Sequence, residues 1–126
     1  MSVKLNTRQV GDVTVVDVAG RVTLGFLPGN ERKVDPECGS VQLRNELLGL
    51  VSKGKKRVLL NLGQVSYIDA AGIGELVSGF TTITNSGGQL KLLNLTKGAK
   101  DLLQVTKLYT VFVVHDDETS AIRSFA

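Results

Sequence analysis

Residues 67–77 constrain the fold most, because a strand pattern ends within them and a helix pattern begins. An apolar run stops at Asp69, whose carboxylate can accept hydrogen bonds from the free N–H groups of a first helical turn. Apolar residues then follow at helical spacing, at Ile73, Leu76, Val77, Phe80 and Ile83. The pattern predicts a helix that is capped by Asp69, buries one face and presents an N-terminus suited to binding an anion or a partner.

Strand and helix patterns also alternate along the rest of the chain. Strands are predicted at residues 3–10, 13–18, 57–62, 65–68, 89–95 and 111–114, with a two-residue turn at Gly11 and Asp12. A helix is predicted after Ser40, with the apolar face Leu43, Leu47, Leu50 and Val51. A second is predicted after Thr96, with Ala99, Leu102, Leu103 and Val105 on its apolar face. A third is predicted where the acids 116–118 stand, with the apolar residues Ala121, Ile122 and Phe125. Gly54 is expected to end the first of these helices.

This order of elements predicts the topology. Strand–helix alternation in the second half implies parallel strands joined by right-handed crossovers, while the first hairpin adds one antiparallel edge strand. The nearly continuous apolar run at residues 57–62 indicates a central strand that is buried on both faces. We therefore predict an α/β fold, a mixed sheet of about five strands with about four helices, in which residues 1–126 form one domain.

Residues 24–39 break this rhythm. They contain both prolines, Pro28 and Pro36, and follow neither a strand nor a helix period, so an unusually long loop is predicted. Phe26 and Leu27 lie within this segment. We expect them to fold back onto the core; the alternative is an exposed apolar tip that contacts a partner.

Composition and charge argue against several classes of function. The formal net charge is only +3, and the basic run at residues 53–57 contains no aromatic residues that would stack on bases, so direct nucleic-acid binding is not expected. No apolar run is long enough to insert across a membrane. Cys38 is the only cysteine and cannot form an internal disulfide, so the cytoplasm is the expected compartment.

The sequence contains no recognisable constellation of catalytic residues. His115 is the only histidine, which argues against a histidine-based zinc site, and Cys38 has no partner base in the sequence. Gly72 and Gly74 do not complete a dinucleotide-binding motif, because Val77 stands where the third small residue would be. We therefore predict a protein that is not an enzyme and that uses neither a metal nor a cofactor.

Several motifs of the chain, taken together, resemble those of one protein family. The order of elements and the junction Asp69-Ala70-Ala71-Gly72-Ile73-Gly74 resemble the STAS domain of bacterial anti-sigma factor antagonists. Residues 20–23 resemble the family's glycine turn after its second strand, and residues 58–62 followed by 65–69 resemble its central strand and signature. The resemblance covers nearly the full chain outside residues 24–39.

This resemblance implies a partner-switching protein. Family members bind a serine-kinase anti-sigma factor and so release a sigma factor, and the kinase ends the binding by phosphorylating a Ser or Thr directly after the motif's Asp. A phosphate adds about −1.5 to −2 charge, which a neighbouring Asp69 would repel. Carried over to this chain, the resemblance implies a partner-binding site made of Asp69, Ala70, Ala71, Gly72, Ile73, Gly74, Glu75 and Thr23.

The chain departs from the family pattern at the phosphosite position. Ala70 stands where the family carries Ser or Thr, and Ala71 follows it, so neither position can accept phosphate. The hydroxyl of Thr23, near the same site, is an alternative target. Three explanations stay open. The protein is a binding module that this kinase does not regulate, or it is regulated elsewhere in the chain, for example through residues 24–39. Alternatively, a serine at this position was replaced to mimic the unphosphorylated state.

The segment 24–39 is the second departure from the family pattern. We hypothesise that Phe26, Leu27 and the charges around Arg32 alter partner choice, because the segment emerges near the expected partner face. Two other functions remain alternatives: a scaffold or transporter-associated STAS module, and a nucleotide- or lipid-binding domain. The sigma factor and the oligomeric state are left open.

Overall fold

The computed structural model of the protein describes residues 3–125. Its strands are β1 (Val3–Val10), β2 (Val13–Val22), β3 (Phe26–Leu27), β4 (Asn30–Val34), β5 (Arg57–Ile68), β6 (Gln89–Leu93) and β7 (Val114–His115). Its helices are α1 (Gly39–Ser52), α2 (Ala70–Asn85), α3 (Lys97–Val105) and α4 (Glu118–Arg123). None of the helices in this described range is long and apolar enough to cross a membrane.

The main sheet has five strands in the order β1-β2-β5-β6-β7. β1 pairs with β2 in an antiparallel register that runs from Val3 opposite Gly20 to Val10 opposite Val13. The turn between them contains Gly11 with φ +58°, a conformation that glycine adopts without strain. All remaining neighbours in this sheet pair in parallel, and β5 lies in the centre. The predicted mixed α/β sheet with one antiparallel edge strand is confirmed.

The two faces of the sheet bury separate apolar clusters, because side chains alternate along each strand. The larger cluster packs the sheet against α1, α2 and α3, and its members include Val16, Val18, Val58, Leu60, Leu92, Leu43, Leu47, Ile73, Leu76, Ile83 and Leu103. The smaller cluster packs the other face against α4, through Val13, Val15, Leu59, Leu93, Ala121 and Phe125. The predicted central position of residues 57–62 is therefore confirmed.

The start of α1 differs from the prediction. The helix begins at Gly39 with Cys38 as its N-cap, so Ser40 lies inside the first turn instead of capping it. A Cβ atom at position 39 would lie 1.9 Å from the carbonyl oxygen of Arg21, so only glycine allows the helix to start against the end of β2. The predicted stop at Gly54 (φ +76°) and the predicted cap at Thr96 are confirmed. Of the acids predicted at the start of the last helix, Asp117 is the cap of α4 and Glu118 its first residue.

The predicted loop at residues 24–39 is wrong in its middle, which forms a β-hairpin. Phe26 pairs with Val34 and Leu27 with Asn30, and the N–H of Asp35 donates to the carbonyl of Gly25 at 2.8 Å. Pro28 and Gly29, with φ +77° at the glycine, form the tip. Proline followed by a glycine of positive φ is the signature of a type II turn, so the residues that suggested a loop form the hairpin turn.

Three further predictions need correction. Phe26 is 46% exposed and does not fold back onto the core, whereas Leu27 is half-buried. Val105 is 78% exposed although it was assigned to the apolar face of α3, because it is the last residue of that helix, where the chain turns away. The last strand contains only Val114–His115, since Val111 and Phe112 lie in a turn that packs Phe112 edge-to-face against Phe80.

Candidate functional site

The junction between β5 and α2 is fixed by the carboxylate of Asp69. Its Oδ1 accepts a hydrogen bond from the N–H of Gly72 at 2.8 Å, which caps α2 as predicted. Its Oδ2 accepts a second bond, at 3.0 Å, from the N–H of Leu24, which follows β2. One side chain therefore holds the helix start and the segment that leads into the hairpin in a fixed relation.

Gly72 is buried where α2 meets the end of β2. A Cβ atom at this position would lie 2.3 Å from the carbonyl oxygen of Val22 and 2.7 Å from Cγ1 of Ile68. Any larger residue would push the helix away from the sheet, so the glycine sets the depth at which the turn sits. Ile73 is also buried, at 2% exposure. Neither residue presents a side chain at the surface.

We name the cap Asp69 and the start of α2, residues 69–74, the 69–74 turn. Its remaining residues, and Glu75 after it, differ in solvent accessibility. Ala70 and Gly74 are exposed, while Ala71 and Glu75 are half-buried. Glu75 Oε2 lies 3.8 Å from the guanidinium of Arg44 on α1. The exposed surface of the turn therefore comes from Ala70 and Gly74, which carry a methyl group or no side chain, and the carboxylate of Glu75 already lies near a cation.

A shallow groove runs from Ala70 towards α3. Tyr67 and Ala70 lie on one side of the groove, and Leu102 and Val105 on the other, with Asp101 also in its lining. Tyr67 is 54% exposed, and the guanidinium of Arg21 lies 5.1 Å from the centre of its ring. Such an exposed apolar lining beside a polar rim is typical of protein-contact surfaces.

The sequence did not identify this groove as part of the site. Tyr67 shows no signal beyond being an aromatic residue near a strand end, and Val105 fits the spacing of a buried helix face. The opposing walls come from segments about thirty or more residues apart, so only the packing of α3 brings them together.

Thr23 lies on the other side of the turn, between β2 and the hairpin. Thr23 is half-buried, and its carbonyl oxygen accepts a hydrogen bond from the N–H of Ser40 at 3.1 Å. Thr23 is next in the chain to Leu24, whose N–H donates to Asp69 in the capped turn. The structure therefore places the sequence-predicted residues around one junction.

The other candidate residues lie apart from this junction. Cys38 is buried at the start of α1, with its sulfur 3.6 Å from Oγ of Ser40. His115 lies in β7, where its Nε2 is buried and has no hydrogen-bond partner among the residues that the structure describes. Within residues 3–125, no group of three or more His, Cys, Asp or Glu side chains is arranged to hold a metal ion.

A polar cluster lies on the sheet face that α4 covers. The Arg8 guanidinium lies between two carboxylates, 2.7 Å from Asp17 and 2.9 Å from Glu118. Hydrogen bonds from Arg8 hold the pKa of both carboxyl groups below their usual range, and the two carboxylates raise the pKa of Arg8. Asn61 also donates to Asp17 at 2.9 Å. The cluster ties α4 to β1 and β2, which is a structural role.

Comparisons with known proteins agree with the resemblance seen at residues 69–74. A sequence model of the STAS domain matches residues 4–121. The anti-sigma-B factor antagonist of Bacillus subtilis (strain 168) is 28% identical over 108 residues, which is 86% of this chain and 86% of that protein.

Solved structures show the same fold. An anti-sigma factor antagonist from Mycobacterium paratuberculosis has a TM-score of 0.77 at 14% identity, covering 98% of this chain and 94% of that chain. The phosphorylated form of the Bacillus cell fate determinant SpoIIAA has a TM-score of 0.69 at 16% identity, covering 98% of this chain and 100% of that chain. Since the family match spans residues 4–121, the chain belongs to the STAS domain family.

Proposed function

We propose that this chain is an anti-sigma factor antagonist that binds a serine-kinase anti-sigma factor through the 69–74 turn and so releases a sigma factor. The observation that carries the proposal is the position of Ala70, which is exposed directly after the helix cap Asp69, beside a groove with an apolar lining. This function needs no catalytic residues in the chain, and it acts in the cytoplasm, where sigma factors meet RNA polymerase.

The turn is suited to docking because its shape does not depend on a partner. Asp69 already bonds to Gly72 and Leu24, and Gly72 seats the helix against β2, so little ordering is required on binding. A preformed surface lowers the entropy cost of association. Exposed Ala70 and Gly74 then allow the backbone of a partner to approach closely.

We further propose that docking here is not switched off by phosphorylation at position 70. The methyl group of Ala70 cannot accept a phosphate. In a relative with Ser at this position, a phosphate would be favoured by the helix N-terminus but would add charge beside Asp69 and inside the interface, where repulsion and desolvation weaken the complex. The hydroxyl of Thr23 remains the alternative acceptor near the turn.

An Ala70→Ser variant tests the proposal. The purified chain and the variant are titrated with a purified serine-kinase anti-sigma factor from the same organism, before and after incubation with ATP. We expect both chains to bind without ATP, and only Ala70→Ser to be phosphorylated and to lose affinity. Ala71→Ser is the matched control, because it introduces the same hydroxyl one residue further along, at a half-buried position.

Two results would count against the proposal. If the unmodified chain does not bind the kinase, the scaffold or transporter-associated alternative is favoured. If ATP weakens binding of the unmodified chain, the chain carries another acceptor, and phosphopeptide mass spectrometry would show whether it is Thr23.

A further inference from the structure

The β3–β4 hairpin and the segment that leads into it expose three apolar side chains. Leu24 is 40% exposed, Phe26 is 46% exposed and Val34 is 42% exposed. Phe26 and Val34 are directly paired across the strands, so their side chains lie on the same face. Arg32 is exposed two residues before Val34 in β4, in a stretch where the register between the two strands shifts. We name Leu24, Phe26, Arg32 and Val34 the hairpin face.

Packing within the fold does not explain why these apolar side chains are exposed. Every residue of β4 is exposed, and the hairpin forms a separate two-stranded sheet. A two-stranded hairpin alone is only marginally stable in water, so exposing its apolar pair to solvent has no evident structural benefit. Single exposed apolar residues are normal, but a cluster on one face is characteristic of contact surfaces.

The hairpin face adjoins the 69–74 turn. The N–H of Leu24, at the base of the hairpin, donates to Oδ2 of Asp69, while Oδ1 of the same carboxylate caps α2. The two surfaces are therefore held together by one side chain. A partner that covers the turn on this side also reaches the base of the hairpin.

The turn alone lacks the side chains that usually anchor a protein interface. Gly72 and Ile73 are buried, and the exposed positions Ala70 and Gly74 carry a methyl group or no side chain. Interface cores are enriched in large apolar and aromatic residues, and a few of these carry most of the binding energy. Phe26 and its neighbours supply such groups next to the turn.

We infer that the hairpin face is a second contact surface for the same anti-sigma factor, which presents to it an apolar segment bearing a carboxylate. The carboxylate is expected because Arg32 makes no ion pair with any residue in the range 3–125. A cation of this kind beside an apolar patch selects a partner of opposite charge and disfavours others. The inference rests on the proposed function and adds to it the feature that sets partner choice.

Isothermal titration with the purified serine-kinase anti-sigma factor tests the inference. Phe26→Ala is expected to weaken binding about tenfold or more, and Val34→Ala by a smaller factor. Val113→Ala is the matched control for the valine, since Val113 is 49% exposed but lies before β7. Its affinity should equal that of the unmodified chain.

Charge reversal gives a second pair of variants. Arg32→Glu should weaken binding several-fold, mainly through a slower association rate, whereas Lys53→Glu, at an exposed cation after α1, should have little effect. Because all five substituted side chains are exposed, thermal unfolding of the variants should match that of the unmodified chain.

Ala70→Arg separates this inference from the proposed function. If Ala70→Arg abolishes binding while the hairpin variants bind normally, the inference is wrong and the function stands. If the unmodified chain does not bind the kinase, both are wrong. If sedimentation shows a dimer that Phe26→Ala dissociates, the hairpin face binds a second copy of this chain and the inference is overturned.

Discussion

The 69–74 turn and the β3–β4 hairpin are neighbours that share the carboxylate of Asp69, yet they are built in opposite ways. In the turn, polar groups are bonded internally and Gly72 sits against the backbone of Val22. In the hairpin, the strand β4 is exposed along its whole length. The turn has a fixed shape but few exposed side chains that could contact a partner. The hairpin has exposed side chains but makes few packing contacts with the core.

This difference suggests how a STAS domain can keep its fold while changing its partner. Residues that fix the turn also hold α2 against the sheet, so under the proposed function substitutions there should affect stability and binding together. Residues of the hairpin face contribute little to the core, so substitutions there can alter binding alone. The comparison can be tested by measuring stability, from the largest expected effect to the smallest.

The largest loss of stability is expected at Gly72. In Gly72→Ala, the new Cβ would meet the carbonyl oxygen of Val22 at 2.3 Å, and we expect a loss of about 3 kcal/mol in the free energy of unfolding. Gly74→Ala is the control, because within residues 3–125 a Cβ there meets nothing within 4 Å beyond its chain neighbours and the backbone of its own helix, and alanine favours the helix by about 1 kcal/mol. Urea unfolding measures both; equal effects would show that Gly72 is not sterically required.

Removing the Asp69 carboxylate should have the next largest effect. Asp69→Ala removes the helix cap and the bond to Leu24, so we expect a loss of about 2 kcal/mol. Thr96→Ala removes only the cap of α3, a bond of 3.3 Å to Ala99, and should cost about 1 kcal/mol. If the two variants lose equal stability, Asp69 does not tie the hairpin to the turn.

The cluster around Arg8 should lose its contribution to stability in acid. Because the folded-state pKa values of Asp17 and Glu118 are lowered, their contribution is complete at neutral pH and is lost as the pH falls through those values. Unfolding at about pH 7 and about pH 2 should show Arg8→Met less stable by at most about 1 kcal/mol at neutral pH, with a smaller difference in acid. A difference that does not shrink as the pH falls would contradict this assignment.

The smallest effect on stability is expected from removing the hairpin. The N–H of Asp35 bonds to the carbonyl of Gly25 at 2.8 Å, so the ends of the hairpin are close enough to be joined by a short glycine-containing turn. Replacing residues 26–34 in this way should change the free energy of unfolding by less than about 1 kcal/mol, because β4 is exposed. A larger loss in urea unfolding would show that the hairpin supports the core.

The sequence predicts the turn better than the hairpin for a physical reason. The cap at Asp69 and the apolar face of α2 are local patterns, and both are confirmed. The strand Asn30–Val34 is mostly charged and exposed, so no apolar period marks it, and Pro28-Gly29 suits a loop as well as a hairpin turn. The second bond of Asp69 joins residues 45 positions apart, which no local pattern can indicate.

Hydrogen exchange in the complex tests the central claim most directly. The N–H groups of Ala70 and Ala71 begin α2, where the backbone offers no helical acceptor, so they should exchange quickly in the free chain. Binding of the purified anti-sigma factor should slow their exchange, while Glu118 and Thr119, which begin α4, should be unaffected. Slower exchange at Glu118 and Thr119 with no change at Ala70 and Ala71 would place the partner elsewhere and contradict the account.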